Sequence, residues 1–415
     1  MELRSETGTE SLQGNEAHAR WRALALLSLA ELLAMSLWFS AAAVVPALQS
    51  EWHLADSSVS WLTIAVQLGF VCGTLISAFL NLPDVINVRY LFTACAFAGG
   101  VTNAFFGLYA SGPRAGIVLR FLTGLFLAGV YPPGMKIMAT WFRRSRGMAL
   151  GVLIGALTLG KASPYLVNAI GSANWRNNIL YVSLFAFVGG LVVLLFVDKG
   201  PHALPAAPFD WRQAVLVFHN RGARLANFGY FGHMWELYAM WMWLPIMLRA
   251  SFSGRHVFPQ LTEAASFLVI GCGVIGCVSG GLLADRFGRT LVTSWAMAIS
   301  GACCIAIGFL FNAEPALLLL VSAVWGATVI ADSAQFSACV TELTDPRYLG
   351  TALTIQTCVG FLLTSVSIKL VPEVEKVYSW RYAFVVLAPG PLLGVVAMLR
   401  LRSLPEATNI ANGRR

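Results

Sequence analysis

Apolar blocks of about 20 residues, each long enough to cross about 30 Å of hydrocarbon as an α-helix, recur along the whole 415-residue chain. A membrane-spanning segment must satisfy its backbone hydrogen bonds internally, so only helices or closed β-barrels are possible. Barrel strands would alternate apolar and polar residues over about 10 positions. Runs such as GGLVVLLFV at 189–197 do not alternate. The sequence therefore predicts an all-α membrane protein.

The composition agrees with a membrane protein and argues against nucleic-acid binding. Hydrophobic residues make up 57% of the chain and charged residues only 12%, whereas soluble domains carry about 25% charged residues. The formal net charge of +8 has a simpler source than a nucleic-acid partner, because cytoplasmic loops of membrane proteins collect Lys and Arg. Residues 1–20 are polar and lack the features of a secretory signal, so they are predicted to be a disordered cytoplasmic tail.

Charged, Pro and Gly residues separate twelve predicted membrane helices: 23–48, 59–80, 89–110, 115–140, 147–170, 176–197, 225–248, 263–284, 290–312, 316–340, 349–371 and 381–401. Of the 28 Lys and Arg residues, 18 fall on the side of the termini, six on the opposite side and four within helices. Cytoplasmic loops carry the excess of positive charge. This bias predicts a multi-pass protein of the cytoplasmic (inner) membrane with both termini in the cytoplasm.

The chain divides near its middle into two related halves. The polar, Pro-containing stretch at 197–213 separates them, and the predicted units are a tail 1–20, a bundle 21–197, a linker 198–221, a bundle 222–402 and a cytoplasmic tail 403–415. ELLAMSLW at 31–38 matches ELYAMWMW at 236–243, an offset of 205 that also relates WR at 175–176 to WR at 380–381. Two matches at one offset indicate a parallel repeat of six helices, a construction known in transporters.

One loop carries the most specific resemblance to a known family. The segment GLLADRFGR at 281–289 is similar to the G-x-L-x-D-R-x-G-R loop of the major facilitator superfamily of secondary transporters. The corresponding loop between helices two and three is degenerate and keeps Asp84 and Arg89. Arg120, Gly124 and Gly129 resemble the R-x-x-x-G-x-x-x-G pattern of many drug-exporting members.

The resemblance implies two pseudo-symmetric six-helix bundles, with helices one, four, seven and ten lining a central cavity. It also implies a conformational latch, in which Asp285 meets the start of helix five in one conformation and leaves it in another. A negative charge at that place is favoured by the helix dipole. The predicted latch residues are Asp84, Asp285, Arg286 and Arg289.

The repeat places a glutamate on equivalent faces of helices one and seven. Glu31 and Glu236 lie nine and twelve residues beyond the nearest preceding Arg, or about 14 to 18 Å into the bilayer. A charge at such depth costs at least about 2.5–3.5 kcal/mol, so we predict that both face a shared, water-accessible cavity and couple transport to protons. An architectural, hydrogen-bonded glutamate is the alternative. His233 and Asp332 are predicted to assist proton coupling, and a packing role is the alternative for His233.

Helix five carries a lysine about halfway across the membrane. Lys161 either pairs with a carboxylate, such as Glu31 or Asp332, or binds an anionic substrate. An aromatic wall on helix seven could stack against flat or cationic substrates, although simple packing is the alternative. The predicted substrate-binding residues are Trp38, Arg120, Tyr131, Lys161, Trp235, Tyr238, Trp241, Gln335 and Gln356. The prolines of YPPG at 131–134 predict a bend in helix four.

The motif search favours a transporter over an enzyme. No Walker-type, HExxH or GxSxG motif and no Cys-His cluster occurs, and the eight cysteines are predicted to be free, buried and metal-free. We therefore predict a secondary transporter that moves a small organic solute by alternating access, uses the proton gradient and needs no cofactor. Export of a drug-like compound or metabolite and proton-coupled uptake of a small organic or inorganic anion both remain open, and a non-transporting membrane receptor is the rival class. The expected partners are a small molecule and membrane lipid, with a monomeric protein and no nucleic acid.

Overall fold

A computed structural model of the chain describes residues 3–54, 56–142, 146–171, 174–202, 209–210, 212, 218–253, 255 and 258–415. Every regular element in these ranges is a helix. In the first half the α-helices are α1 (Leu3–Met35), α2 (Ser40–Ala43), α3 (Val45–Trp52), α4 (Asp56–Phe79), α5 (Leu82–Val85), α6 (Val88–Tyr109), α7 (Pro113–Leu127), α8 (Tyr131–Trp141), α9 (Arg146–Ala169) and α10 (Trp175–Phe196).

The second half repeats this arrangement. Its α-helices are α11 (Arg221–Ser253), α12 (Pro259–Gly271), α13 (Gly273–Phe287), α14 (Arg289–Ala306), α15 (Pro315–Ala331), α16 (Ser333–Leu343), α17 (Leu349–Tyr378), α18 (Trp380–Ala383) and α19 (Pro389–Arg402). Within the described residues, ten helical stretches are long and apolar enough to cross a membrane. The more polar stretches that begin with α1 and α11 complete the twelve predicted helices, so the all-α prediction of two six-helix bundles is confirmed.

Several of the twelve helices are interrupted along their length, including helix eight at Cys272, between α12 and α13. Helix four breaks between α7 and α8, where Pro132 and Pro133 follow Tyr131, and this confirms the predicted bend. Helix ten breaks at the equivalent place between α15 and α16, with Asp332 at the junction. Helix one breaks between α1 and α2 over residues 36–39, and no proline lies there.

Both ends of the chain, which the sequence assigns to tails, are helical in the described residues. Helix α1 begins at Leu3, in a stretch rich in the good helix formers Glu, Leu, Gln and Ala. After α19 the chain forms a 3₁₀ helix, Pro405–Gly413. Ala407 and Ile410 of this segment are fully buried, and this burial of apolar side chains holds the segment against the protein.

The predicted linker 198–221 lies partly outside the described residues. Where the structure describes it, the linker contacts the turn between α4 and α5 and the first turn of α17. The backbone N–H of Phe209 donates to Asn81 Oδ1 at 3.2 Å, and that of Asp210 donates to Thr351 Oγ1 at 2.9 Å. These two bonds attach the linker to one residue of each half.

The two halves contact each other toward both ends of the molecule. On the side of the termini, α9 packs so closely on α13 that a Cβ on Gly151 would lie 2.8 Å from the carbonyl oxygen of Cys277. On the opposite side, Arg249 Nη2 of α11 donates to the carbonyl oxygen of Ala43 in α2 at 3.1 Å. The interface between the halves is therefore held together on both sides of its middle.

Candidate substrate and proton site between the two halves

Aromatic side chains from both halves meet at the middle of the interface. The ring centroid of Trp38 lies 5.0 Å from that of Phe70, 5.6 Å from that of Tyr238 and 5.5 Å from that of Phe361. Trp241 joins the group at 5.4 Å from Tyr238. We call Trp38, Phe70, Tyr238, Trp241 and Phe361 the central aromatic cluster. Helices α4, α11 and α17 and the turn after α1 supply it.

Lys161 of α9 projects into the central aromatic cluster. Its Nζ lies 4.2 Å from the ring centroid of Trp38, 4.6 Å from that of Tyr238 and 5.2 Å from that of Trp241, all within cation–π range. The ammonium group also donates a hydrogen bond to the Tyr238 hydroxyl. Only 2% of Lys161 is exposed, and it forms no ion pair with a carboxylate among the described residues.

The glycine before Lys161 allows this position. A Cβ on Gly160 would lie 2.2 Å from the carbonyl oxygen of Leu32, so only glycine permits α9 to approach α1 this closely. The close approach brings Lys161 near Glu31, which is one residue before Leu32 on α1. The two groups interact electrostatically without forming an ion pair.

Glu31 is completely buried within the first half. Neither of its carboxylate oxygens has a hydrogen-bond partner among the described residues. A Cβ on Gly134 of α8 would lie 1.9 Å from Glu31 Oε1, so this glycine makes the room for the carboxylate. A buried carboxylate with no partner is unfavourable when ionised, and Lys161 is the cation that interacts with it.

Glu236 has a different environment from its repeat counterpart. Its Oε1 accepts hydrogen bonds from Ser300 Oγ at 2.5 Å, Cys304 Sγ at 2.9 Å and Trp325 Nε1 at 2.6 Å. All three donors belong to α14 and α15 of the same half. The expectation that Glu31 and Glu236 face each other across a shared cavity is wrong for this conformation, because each carboxylate lies inside its own bundle.

His233 and Asp332 form a buried pair in the second half. His233 Nδ1 lies 2.8 Å from Asp332 Oδ1, and both side chains are almost inaccessible. Asp332 occupies the break between α15 and α16, and it interacts electrostatically with Glu236. The structure thus brings the three predicted proton-coupling residues of this half close together, while Glu31 lies apart from them with Lys161.

Arg120 is buried inside the first half. Its guanidinium donates to Ser40 Oγ at 2.9 Å, to Asn103 Oδ1 at 2.8 Å and to the carbonyl oxygens of Leu37 and Trp38 at 3.0 and 2.5 Å. The two carbonyl groups belong to the break in helix one. Arg120 therefore holds the chain that presents Trp38 and does not itself reach the cluster.

Three other predicted substrate residues lie away from the central aromatic cluster. The Trp235 Nε1 donates to the carbonyl oxygen of Val386 at 3.1 Å, within the second half. Gln335 accepts from Arg289 at 2.6 Å, near the loop at 281–289. Gln356 is buried and accepts from Ser337 at 3.2 Å. Their polar groups make contacts between helices of one bundle.

The predicted substrate residue Tyr131 has an intermediate position. It is the first residue of α8, directly after the break in helix four. Its half-buried side chain packs against the apolar core of the protein, and it interacts electrostatically with Glu31, Tyr230 and Tyr238. Tyr131 therefore lies within electrostatic range of Glu31 and of Tyr230 and Tyr238 on α11.

The order of helices and the repeat agree with one family of proteins. A profile of the Major Facilitator Superfamily matches residues 27–368, most of the chain. The chain belongs to the major facilitator superfamily.

Individual relatives of this major facilitator protein are distant. It is 23% identical over 262 residues to a probable sulfoacetate transporter, SauU, of Cupriavidus necator, and 23% identical over 282 residues to the 4-hydroxybenzoate transporter PcaK of Pseudomonas aeruginosa. The matches cover 58% and 59% of this chain, and 59% and 61% of the relatives. The chain thus spans about three-fifths of the length of these curated relatives.

A solved structure shows the same fold. The nucleoside transporter NupG superposes with a TM-score of 0.68 at 16% identity, and the match covers 91% of this chain and 99% of that one. The complete overlap agrees with twelve helices in two bundles. At this identity the likeness concerns the fold alone.

The predicted latch residues of this major facilitator protein lie on the side of the termini. Asp285 at the end of α13 lies beside the first turn of α9, since a Cβ on Gly147 would be 3.0 Å from Asp285 Oδ1. The resemblance of the loop implies this placement. Asp84, in contrast, pairs with Lys136 of α8 at 2.5 Å, within the first half.

The two arginines of the loop differ in their contacts. Arg289 forms a half-buried ion pair with Glu342 of α16 at 2.8 Å. Glu342 also accepts the backbone N–H of Ala411 from the C-terminal 3₁₀ helix at 3.0 Å. Arg286 is exposed and lies over the Phe287 ring. The C-terminal segment is therefore attached to the same loop region that the resemblance identifies as a latch.

Sequence reasoning missed Phe70 and Phe361 of the central aromatic cluster. They are two of 26 phenylalanines in the chain, and both lie in uniformly apolar helices, where no change of pattern distinguishes them. The eight cysteines are free. The prediction that all of them are buried is wrong for Cys72, Cys95 and Cys272, which are half-buried. No group of residues suited to hold a metal ion occurs in the part of the chain that the structure describes.

Proposed function

We propose that this protein is a proton-coupled secondary transporter that takes up a small organic anion with a flat or apolar body. The observation that carries the proposal is Lys161, a buried cation with no carboxylate partner among the described residues, enclosed by aromatic rings from both halves. A site that both halves build is the kind of site that alternating access requires, because it opens to one side or the other as the halves move.

The sign of the substrate's charge follows from electrostatics. A buried ammonium group is costly unless an anion or several hydrogen bonds compensate it. Here it has one hydroxyl and the faces of three rings, and the nearby Glu31 forms no ion pair with it. A carboxylate, sulfonate or phosphate would supply the missing charge, whereas a cationic substrate would be repelled. The rings would contact the apolar part of the same molecule.

The substrates named for several relatives have this chemistry. The two relatives described above are named for sulfoacetate and 4-hydroxybenzoate, and a third, from Chlamydia muridarum, is named a probable hexose phosphate transport protein. All three compounds are organic anions. These names support an anionic substrate for this chain. The specificity of this chain among organic anions follows from the rings around Lys161.

Glu31 is the proton-coupling residue that we propose. It interacts with Lys161 but forms no ion pair with it, and its carboxylate has no hydrogen-bond partner among the described residues. An anion that arrives at Lys161 adds a second negative charge near Glu31, which favours uptake of a proton by Glu31. The proton and the anion would then cross together, driven by the proton gradient and without any cofactor.

The proposed proton coupling determines the direction of transport and the membrane in which it takes place. An anion that travels with a proton is driven inward across a cytoplasmic membrane whose outer side is more acidic. The excess of Lys and Arg on the side of the termini supports cytoplasmic termini. Each half supplies part of one site, so a monomer is a complete transporter.

Uptake into proteoliposomes tests the proposal. We expect a pH gradient, acid outside, to drive uptake of radiolabelled 4-hydroxybenzoate or sulfoacetate. Lys161→Ala should reduce uptake at least 100-fold, while Lys369→Ala, which removes a lysine on the membrane-exposed surface, should leave it unchanged. Glu31→Gln should abolish stimulation by the pH gradient while counterflow exchange of the anion continues.

Other outcomes would point to the rival functions. Uptake or extrusion of a neutral aromatic compound that does not depend on Lys161 would identify an exporter of hydrophobic molecules, which needs the rings but not the charge. Anion binding without flux in every gradient would identify a receptor on the same scaffold. Either result contradicts the proposal.

A further inference from the structure

A second cavity opens on the flank of the second half, away from the central aromatic cluster. Its volume is about 690 Å³, and helices α11, α17 and α19 form its walls. The side chains that line it are largely apolar, and they include Phe228, Phe231, Trp235, Leu363, Leu393 and Val396. Phe228, Leu393 and Val396 are 48%, 68% and 47% exposed, so the groove is open along the membrane-facing surface.

Three arginines form one end of this groove. Arg221 and Arg224 lie in the first turn of α11, and Arg400 lies in the last turn of α19. None of them forms an ion pair with Asp or Glu among the described residues, and no acidic side chain lines the groove. Arg224 donates to the carbonyl oxygen of Phe218 at 3.1 Å, and its other guanidinium nitrogens are available for further bonds.

The dimensions of the groove match one leaflet of a bilayer. The fourteen positions from Arg221 to Trp235 on α11 correspond to about 21 Å of helix. Half of the hydrocarbon core is about 15 Å thick, which leaves about 6 Å for the headgroup region. The arginines therefore lie at the level of the headgroups, and Trp235 lies near the middle of the membrane.

Two glycines make the groove deep. A Cβ on Gly232 would lie 2.3 Å from the carbonyl oxygen of Gly390, so α11 and α19 touch through their backbones at the floor. Because neither glycine has a side chain, the space between the aromatic residues of α11 and the leucine and valine side chains of α19 remains open. A flexible acyl chain fits such a narrow apolar space.

We propose that this groove binds one anionic phospholipid from the leaflet on the side of the termini. The phosphate would lie among Arg221, Arg224 and Arg400, and an acyl chain would lie along the floor toward Trp235. Basic pockets between transmembrane helices on the cytoplasmic side are suited to anionic headgroups. The groove opens sideways into the bilayer, whereas Lys161 faces the interface between the halves, so this lipid site is separate from the transport site.

Lipid titration of the full-length protein in detergent micelles tests the proposal. We expect phosphatidylglycerol to raise the thermal unfolding temperature saturably, and phosphatidylcholine with the same acyl chains to have little effect. The triple variant R221Q/R224Q/R400Q should weaken the apparent affinity for phosphatidylglycerol by about 100-fold, because each cation near an anionic headgroup contributes about a factor of five. Native mass spectrometry should show one retained lipid in the parent and none in the variant.

Two controls separate lipid binding from general effects of charge and folding. R20Q/R22Q/K199Q removes three exposed cations from the same side of the molecule, outside the groove, and should leave the affinity unchanged. Val396→Trp keeps the arginines and fills the groove, so it should also weaken binding. Unfolding without lipid verifies that each variant is folded.

Two results would overturn the proposal. Equal affinity in the groove variants and the parent would show that the lipid effect arises elsewhere. Full stabilisation by glycerol 3-phosphate alone would show that the arginines bind a soluble phosphate and that the apolar groove does not contribute. Neither result bears on transport at Lys161, which the uptake assay tests separately.

Discussion

At the scale of single residues, the Tyr238 hydroxyl is the one hydrogen-bond acceptor of the buried Lys161 ammonium group among the described residues. Tyr238→Phe keeps the ring in the central aromatic cluster and removes only this acceptor. A hydrogen bond to a charged group contributes about 1.5–3 kcal/mol, so we expect the free energy of unfolding to fall by that amount. A bound organic anion should restore most of the loss, because it compensates the same charge. Thermal unfolding with and without the anion measures both effects.

The control for Tyr238 is a tyrosine outside the cluster. Tyr109→Phe alters a residue that is 71% exposed. The free energy of unfolding of this variant should therefore equal that of the parent, with or without the anion. If Tyr238→Phe is as stable as the parent in the absence of an anion, Lys161 is neutral in that state. The electrostatic argument for an anionic substrate would then fail.

The two glutamates of the repeat should respond differently to substitution. Glu236 accepts from Ser300, Cys304 and Trp325, so Glu236→Ala leaves buried donors without an acceptor. Each unsatisfied donor costs about 1–3 kcal/mol, and we expect a loss of at least about 3 kcal/mol in the free energy of unfolding. Glu236→Gln retains an accepting oxygen and should keep pH-driven uptake. Thermal unfolding measures the loss of stability, and proteoliposome uptake measures the coupling. Loss of pH-driven uptake in Glu236→Gln would contradict this assignment.

At the scale of elements, the break in helix one depends on one side chain from helix four. Arg120 donates to the carbonyl oxygens of Leu37 and Trp38 at the break, and the Leu37 oxygen also accepts from Ser40. Lysine cannot reproduce the planar set of donors, so Arg120→Lys should leave part of this network unpaired and lower the free energy of unfolding by about 2–4 kcal/mol. The apparent KM for the anion should rise, since Trp38 follows Leu37 in this turn.

A neighbouring arginine on the surface gives the comparison for Arg120. Arg114 lies in the first turn of the same helix and is exposed, so Arg114→Lys should change neither stability nor KM. Equal KM values in the Arg120 and Arg114 variants would mean that the break does not position Trp38. Unfolding curves and concentration-dependent uptake of the two variants decide this.

The breaks also show which elements could be predicted. The bend before α8 follows from Pro132 and Pro133, because proline acts locally on its own helix. The break in helix one contains no proline. It depends on hydrogen bonds from Arg120, which lies 80 positions beyond its acceptor Ser40 in the chain. A contact at that separation leaves no local pattern in a single sequence, so the break was not predicted.

At the scale of the whole molecule, the repeat predicted the two bundles but not the direction of Glu236. A helical face that avoids lipid can turn either toward the cavity between the halves or into the interior of one bundle, and the periodicity of 3.6 residues is the same in both cases. The donors from α14 and α15 decide the direction of Glu236. Lys161 was recognised as unusual from its depth alone, and its aromatic surroundings required the tertiary fold.

The contact between the halves on the side opposite the termini should control opening toward that side. Arg249 forms an ion pair with Glu263 in its own half at 2.6 Å and donates to the Ala43 carbonyl oxygen in the other half at 3.1 Å. Arg249→Gln weakens the bond across the interface, which is charge-assisted and therefore contributes about 1.5–3 kcal/mol. The population open to that side should rise by on the order of tenfold or more.

Labelling of a buried position measures this shift in population. Thr63 is 2% exposed, and its hydroxyl donates to Met242 Sδ across the same part of the interface at 3.1 Å. In a background without native cysteines, a membrane-impermeant maleimide should label Thr63→Cys about tenfold faster when Arg249→Gln is present. Asp285→Asn, which alters the contact with α9 on the side of the termini, should not accelerate labelling, because it destabilises closure at the other end. Equal labelling rates with and without Arg249→Gln would mean that other contacts hold this side closed.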